Sequence, residues 1–310
     1  MTNRLYPIKF QPIYKEKVWG DEIWKLSGIS YDETLVSNGF LIENNINELI
    51  EVYLGDLIGE KIYEKFGEEF PLLIKHLTIN DRLSLQIHPD DETAAERHEC
   101  YGKTECWYIL DAKPTAKIYL GLNRELSPQE LYDRCNNGTI EECMNVIFPQ
   151  KGDLIPIVPG MLHSATGGVS AIEIQQASDV TYRVYDWERE RDTETRREMH
   201  MDLAIDCINY NRVYPSELIK RDSYDSPYFK IMVIDIKSSK DKTDPSSSYR
   251  GNSHLMSGSP LYICVSGSVK IGWSDGDDTL EEGATALVPA NLGEFYITGT
   301  GTILEVIPII

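Results

Sequence analysis

Apolar runs rich in β-branched and aromatic residues recur along the chain, each cut off by turn-forming residues. Residues 70–74, 83–88, 106–110, 116–120, 153–158 and 171–175 form one series, and 261–265, 268–273, 286–289 and 303–306 continue it. Short strands at such spacing predict a sandwich or barrel. Within residues 83–88, a period of two puts Ser84, Gln86 and His88 on one face and Leu83, Leu85 and Ile87 on the other. A polar strand face carrying a histidine suggests a lined cavity, although a solvent-facing strand is the commoner reason for such a pattern.

Helical signals punctuate the strands. Ser127-Pro128-Gln129-Glu130 has the form of a capping box with proline at the first helical position, and Thr139-Ile140-Glu141-Glu142 repeats the device. Further helices are expected between residues 45 and 66 and across 200–208. Residues 238–248 are polar and full of breakers, which predicts a surface loop.

Two stretches echo each other. Gly152 to Gly160 and Gly283 to Ala290 both read as a glycine turn, an apolar strand and a proline stop, as an internal duplication would produce. Four residues after Pro159 stands His163, and four after Pro289 stands Gly293, so the second copy lacks the histidine. The expected division is a first, metal-binding domain with helical insertions over residues 1–222 and a second, metal-free β domain over 223–310.

Composition narrows the function. At 310 residues the chain is long enough for one large core or two smaller ones, and its 41% hydrophobic share is ordinary for a soluble fold. A formal net charge of −20 makes nucleic acid an unfavourable partner while leaving a small anion open, given lysine or arginine at the site. No run is long enough to span a bilayer, the amino terminus has no apolar signal core, and six cysteines occur without a Cys-x-x-Cys pair. The expectation is free thiols in a reducing cytoplasm, in a monomer or weak homodimer.

The candidate chemistry lies in three strings: Gln86-Ile87-His88-Pro89-Asp90, Gly102-Lys103-Thr104-Glu105 and Pro159-Gly160-Met161-Leu162-His163. Together they offer two imidazoles, a carboxylate and an amide oxygen, a set that suits a divalent metal of zinc character with a place left for water or substrate. Pro89 favours an extended His88, as a ligand at a strand end requires. Gln86 is the weakest donor and could instead hydrogen-bond a water of the metal. Lys103 and Glu105 share a face if the segment is a strand, and so do Asp179 and Arg183. A solvated Lys103 and a purely structural Asp179–Arg183 pair are the alternatives. The arginines at 189, 191, 196 and 197 read equally well as a solvated loop, and His76, His98, His200 and His254 look ordinary, with His98 a weak candidate base.

Gln-Ile-His-Pro-Asp-Asp, Gly-Lys-Thr-Glu-Cys-Trp-Tyr, Pro-Gly-Met-Leu-His-Ser and Asp-Val-Thr-Tyr-Arg-Val-Tyr-Asp-Trp, in this order, closely resemble the type I mannose-6-phosphate isomerases of the cupin superfamily, in their short bacterial branch. The likeness runs from Phe10-Gln11-Pro12 and Trp19-Gly20 to Arg197-Glu198-Met199-His200 and weakens to architecture beyond. It implies a mainly β fold of two cupin-type jelly-roll β-barrels with a few short flanking helices. It also implies one Zn2+ per chain held by Gln86, His88, Glu105 and His163, a catalytic Arg183, and a pocket lined by Lys103 and Asp179. Ser84, Lys103 and Arg183 would meet substrate. The expected reaction interconverts mannose 6-phosphate and fructose 6-phosphate by proton transfer through an enediolate. The general base stays open among Asp179, Lys103, Glu105 and a zinc-bound hydroxide. Competing readings are a metal-dependent cupin oxygenase, since two histidines and a carboxylate also suit Fe(II), and a non-catalytic sugar-phosphate-binding cupin.

Overall fold

The computed structural model describes residues 4–194, 196–214, 216, 218–237 and 247–310. The chain is mainly β and divides into two compact units, one of Met1–Ile13, Trp24–Leu73 and Asp222–Ile310, the other of Tyr14–Ile23 and Ile74–Arg221. One boundary between the units falls between Arg221 and Asp222. The carboxy-terminal unit, however, also takes in amino-terminal residues that a contiguous division at 222/223 assigns elsewhere. The reason is pairing: Ile8–Gln11 joins Thr285–Leu287, with Ile8 opposite Leu287, and Leu35–Val36 joins Ile8–Gln11 in turn.

Two antiparallel sheets carry the candidate site. One runs Leu154–Ile157, Glu105–Ala112, Val169–Gln176, Leu72–Ile79, Gly20–Leu26, Ile13–Lys17, and the other runs Tyr182–Tyr185, Leu85–Ile87, His163–Ala165, Ile118–Leu122, Met144–Ile147. Their facing sides share a core of Leu77, Ile79, Trp107, Ile109, Ile118, Leu120, Ile155, Ile157 and Ala171. The outer face of the smaller sheet is covered differently. Leu85, Ile87, Tyr119 and Leu122 pack there with Leu131 and Cys135 of the helix Pro128–Asn136. Alternation along Ile118–Tyr119–Leu120 therefore sorts side chains between an inner core and an outer, helix-covered one. Leu83 sits in the inner core, apart from Leu85 and Ile87, because the strand proper begins only at Leu85.

Local signals explain the helices and where they fall short. Ser127 accepts from the Glu130 amide at 3.1 Å and opens Pro128–Asn136. Thr139 makes no such bond, and the segment after it is only a 3-10 turn, Ile140–Cys143. Asn45 and Glu48 form a reciprocal capping box ahead of Ile46–Ile58, and Glu60–Phe66 follows. The expected helix at 200–208 shortens to Met201–Ala204. Asp91–His98 is a helix the apolar pattern gave no hint of. Its signals are polar: Asp90 caps the Thr93 amide at 2.9 Å, acids fill the first turn, and Arg97 and His98 occupy the last.

In the other unit, the two expected strands at 261–265 and 268–273 are one strand, Leu261–Trp273, bulged between Cys264 and Ser266. The echoed glycine turns are built alike. Gly152 donates to Ile109 and Ile109 to Asp153, while Gly283 donates to Cys264 and Cys264 to Ala284. Residues 238–246 of the polar segment lie outside the described residues. No helix among the described residues is long and apolar enough to cross a membrane, and the six cysteines are free thiols.

Candidate metal centre

His163, Gln86 and Arg183 stand abreast on three neighbouring strands, Gln86 being the register partner of both others. His163 is also opposite Leu120, a member of the inner core, so all three point between the sheets. The opposite sheet brings Glu105 and Trp107 to the same interior, with Gln175 across from Glu105 and Glu173 across from Trp107. The tight Pro-Gly turn that delivers His163 requires glycine. Gly160 has φ +76, and a Cβ there would come within 2.4 Å of the Cys207 carbonyl oxygen. Its amide donates to the His88 carbonyl at 2.9 Å, tying the two histidine segments together.

The result is a buried cluster in which ligand atoms of His88, Glu105 and His163 all lie within 4.8 Å of one another. His88 Nε2 is 3.3 Å from Glu105 Oε2 and His163 Nε2 is 3.5 Å from Glu105 Oε1. Each imidazole is oriented from behind: His88 Nδ1 donates to the Val180 carbonyl and His163 Nδ1 to that of Met161, both at 3.0 Å. With Nδ1 protonated on a neutral ring, Nε2 carries a lone pair and has no proton to give Glu105. Burial keeps the rings neutral, pushing His163 down to about 3 and lowering His88, with the Lys103 charge adding to the effect on His88. Burial alone would raise Glu105, but the Lys103 ammonium beside it holds it well below the usual carboxylate range.

This arrangement fits a divalent cation. Both oxygens of Glu105 are buried, without a hydrogen-bond partner among the described residues. Lys103 Nζ comes within 2.9 Å of Oε2, an approach between charges whose direction does not make a hydrogen bond. A wholly buried carboxylate facing two nitrogen lone pairs is costly unless positive charge sits among them.

Gln86 adjoins the cluster, its amide 3.2 Å from His163 Nε2, and Ser84 donates to the other end of that amide at 3.0 Å. Ser84 is fully buried, and its hydroxyl is taken up by Gln86. Lys103 lies just ahead of the strand and reaches the cluster from there, 3.4 Å from His88 Nε2. Asp179 goes elsewhere: its half-exposed carboxylate is 3.8 Å from Lys75 Nζ, so the sharing of a face with Arg183 yields no ion pair between them among the described residues.

Two charged groups escaped the sequence reading. Lys75 is buried on Leu72–Ile79, 3.3 Å from Glu173 Oε2 and 3.9 Å from Glu22. Glu173 accepts the Trp107 indole N–H at 3.0 Å and lies 3.9 Å from Lys103. Burial pushes Glu173 up to about 7, with the Glu105 charge adding to it against Lys103 and Lys75. The available signal was a lone charge inside an otherwise apolar strand. The loop arginines are also not simply solvated. The buried carboxylate of Asp186 binds Arg189 at 2.8 Å and Arg197 at 2.7 Å. His98 is turned to Tyr182, 2.7 Å from its hydroxyl, and His76 to Ser170.

Fold and site together define a cupin-like β protein with a buried two-histidine, one-carboxylate centre flanked by lysines. A model of the type I phosphomannose isomerase catalytic domain matches residues 22–120. "Putative mannose-6-phosphate isomerase YvyI" of Bacillus subtilis is 30% identical over 327 residues, covering 96% of this chain and 98% of that protein. The mannose-6-phosphate isomerase of Streptococcus mutans is 31% identical over 218 residues, 66% of this chain and 69% of that one. The crystal structure of the Bacillus subtilis mannose 6-phosphate isomerase superimposes with a TM-score of 0.82 at 28% identity, covering 97% of this chain and 99% of that chain. The chain belongs to the type I phosphomannose isomerase family.

Proposed function

We propose that the protein is a zinc-dependent aldose–ketose isomerase that interconverts mannose 6-phosphate and fructose 6-phosphate. The observation that carries this reading is the unsatisfied, fully buried Glu105 carboxylate facing two imidazole lone pairs. His88, Glu105 and His163 would hold the ion, with Gln86 as a fourth donor once its amide turns its oxygen inward; the ends of an amide are assigned by their partners. When bound, zinc supplies Lewis acidity that lowers the cost of negative charge on substrate oxygens.

The protein's own groups do the rest. Lys103, held among His88, Glu105 and Glu173, offers an ammonium to the oxygens on C1 and C2 as charge builds on the enediolate. Glu173, with its pKa near 7, takes the proton from one carbon and returns it to the other. Lys75, itself approached by Asp179, keeps that carboxylate in place. The Arg183 Nε–H is buried without an acceptor among the described residues, which suits a donor reserved for an oxygen of the substrate. This density of cations in an acidic chain favours a sugar phosphate over the apolar substrate of an oxygenase.

The test is a coupled assay with mannose 6-phosphate and other hexose phosphates, run beside metal quantification. Turnover of mannose 6-phosphate that chelation abolishes and Zn2+ restores supports the reading. Full activity in the metal-free protein sinks it.

A further inference from the structure

The outer edge of the strand Tyr182–Tyr185 is closed at Arg183 by one residue. The Arg183 amide donates to His200 Nδ1 at 3.2 Å, and the His200 amide donates back to the Arg183 carbonyl at 2.8 Å. His200 thus uses its ring and its main chain together to do what a neighbouring strand would do. The adjoining Glu198 carbonyl takes one Arg183 Nη1–H at 3.4 Å. On the other side Arg183 faces Gln86, so the residue is held between the candidate centre and His200.

We propose that His200 is a positioning residue for Arg183, and that its neutral ring is the latch that protonation releases. This rests on the reading above that Arg183 meets the substrate. The chemistry of imidazole makes the latch conditional. Nδ1 accepts the Arg183 amide only while it carries a lone pair; once protonated it becomes a donor facing a donor, and a strand amide loses its partner. The groups facing the ring are the Arg183 guanidinium, which opposes protonation as a charge on His98 would, Glu198 at 3.9 Å from Nε2, which favours it, and the Tyr182 ring at 6.3 Å. Burial adds most to the opposition and holds the ring below the ordinary histidine value. The latch is therefore closed at neutral pH and opens on acidification, below the ordinary histidine pKa of about 6.5.

The experiment compares the zinc-loaded wild type with His200→Leu and His200→Asn. Asparagine can present an acceptor near the place of Nδ1 and does not titrate. Leucine should lower kcat by about 10- to 100-fold, the scale of a small misplacement of a reacting group, with zinc content unchanged. Asparagine should recover most of that loss. Hydrogen exchange read at the Arg183 amide gives a second measurement that needs no turnover. Protection should fall in His200→Leu at neutral pH, and it should fall in the wild type on acidification below the ordinary histidine range but not in His200→Asn. Wild-type kcat in the leucine variant, or no rescue by asparagine, overturns the positioning role. Acid-sensitive protection that persists in His200→Asn overturns the latch. If the wild type fails to turn over mannose 6-phosphate, the functional reading fails, and exchange at Arg183 still decides for or against the latch.

Discussion

The Trp107 indole N–H donates to Glu173 Oε1 at 3.0 Å from directly across the sheet, and both side chains are buried. That bond favours the charged form of a carboxylate that its surroundings otherwise push toward neutrality. Trp107→Phe keeps the packing and removes the donor. The expected cost is about 1.5–3 kcal/mol, as for a hydrogen bond to a charged group, measured by urea unfolding. The Glu173 pKa should also rise, so that the acid limb of the kcat profile moves to higher pH in the variant. An unmoved limb would count against Glu173 as the base.

Metal removal should change stability as well as activity. Three neutral or anionic donors converge in the His88–Glu105–His163 cluster, and a cation that binds only the folded chain stabilises it by about 3–4 kcal/mol at 100–1,000 times its Kd. Thermal melts should therefore shift downward with chelator and recover with Zn2+. In His88→Ala and His163→Ala the chelator-dependent shift should disappear along with the bound metal.

Ser84 offers a test of how Gln86 is held. Its hydroxyl bonds the amide of Gln86, whose other end lies beside His163 Nε2. Ser84→Ala should weaken zinc binding by about 10- to 100-fold, the range for partners that orient ligands, as read by chelator competition. A substrate contact at Ser84 would instead raise KM and leave zinc affinity alone.

Asp186 sets a pH dependence of folding. Burial would raise its pKa, but its bonds to Arg197 and Arg189 bring it below the ordinary value. A depressed carboxylate contributes stability above its unfolded pKa of about 3.9 and loses it as pH falls through the folded value. Asp186→Asn should cost about 3–5 kcal/mol near neutrality, because two arginines lose a buried partner. The gap between variant and wild type should close as pH drops below about 4, followed by denaturant midpoints across pH.

Much of the centre was legible before any coordinates. Gln86, His88, Glu105 and His163 occur in ordered motifs, and a period of two already turned Gln86 and His88 away from Leu85 and Ile87. Lys75 and Glu173 were not legible in the same way. Each is a single charge in an apolar strand, and such a charge reads as an exposed position until its partners are known. Asp179 and Arg183 show the converse: sharing a strand face allowed an ion pair that the geometry gives to Lys75 instead.

By itself the sequence determined the strand-rich character, the donor types and the turns that carry them, because periodicity and turn chemistry are local properties of a chain. Only the tertiary structure decided that Glu105 would stand before two imidazole lone pairs, that Trp107 would hold Glu173, and that His200 would close the edge at Arg183. Each joins segments separated along the chain, and the contacts carried by paired strands depend on register. A shift of one residue in any pairing would turn every side chain of that strand to the opposite face.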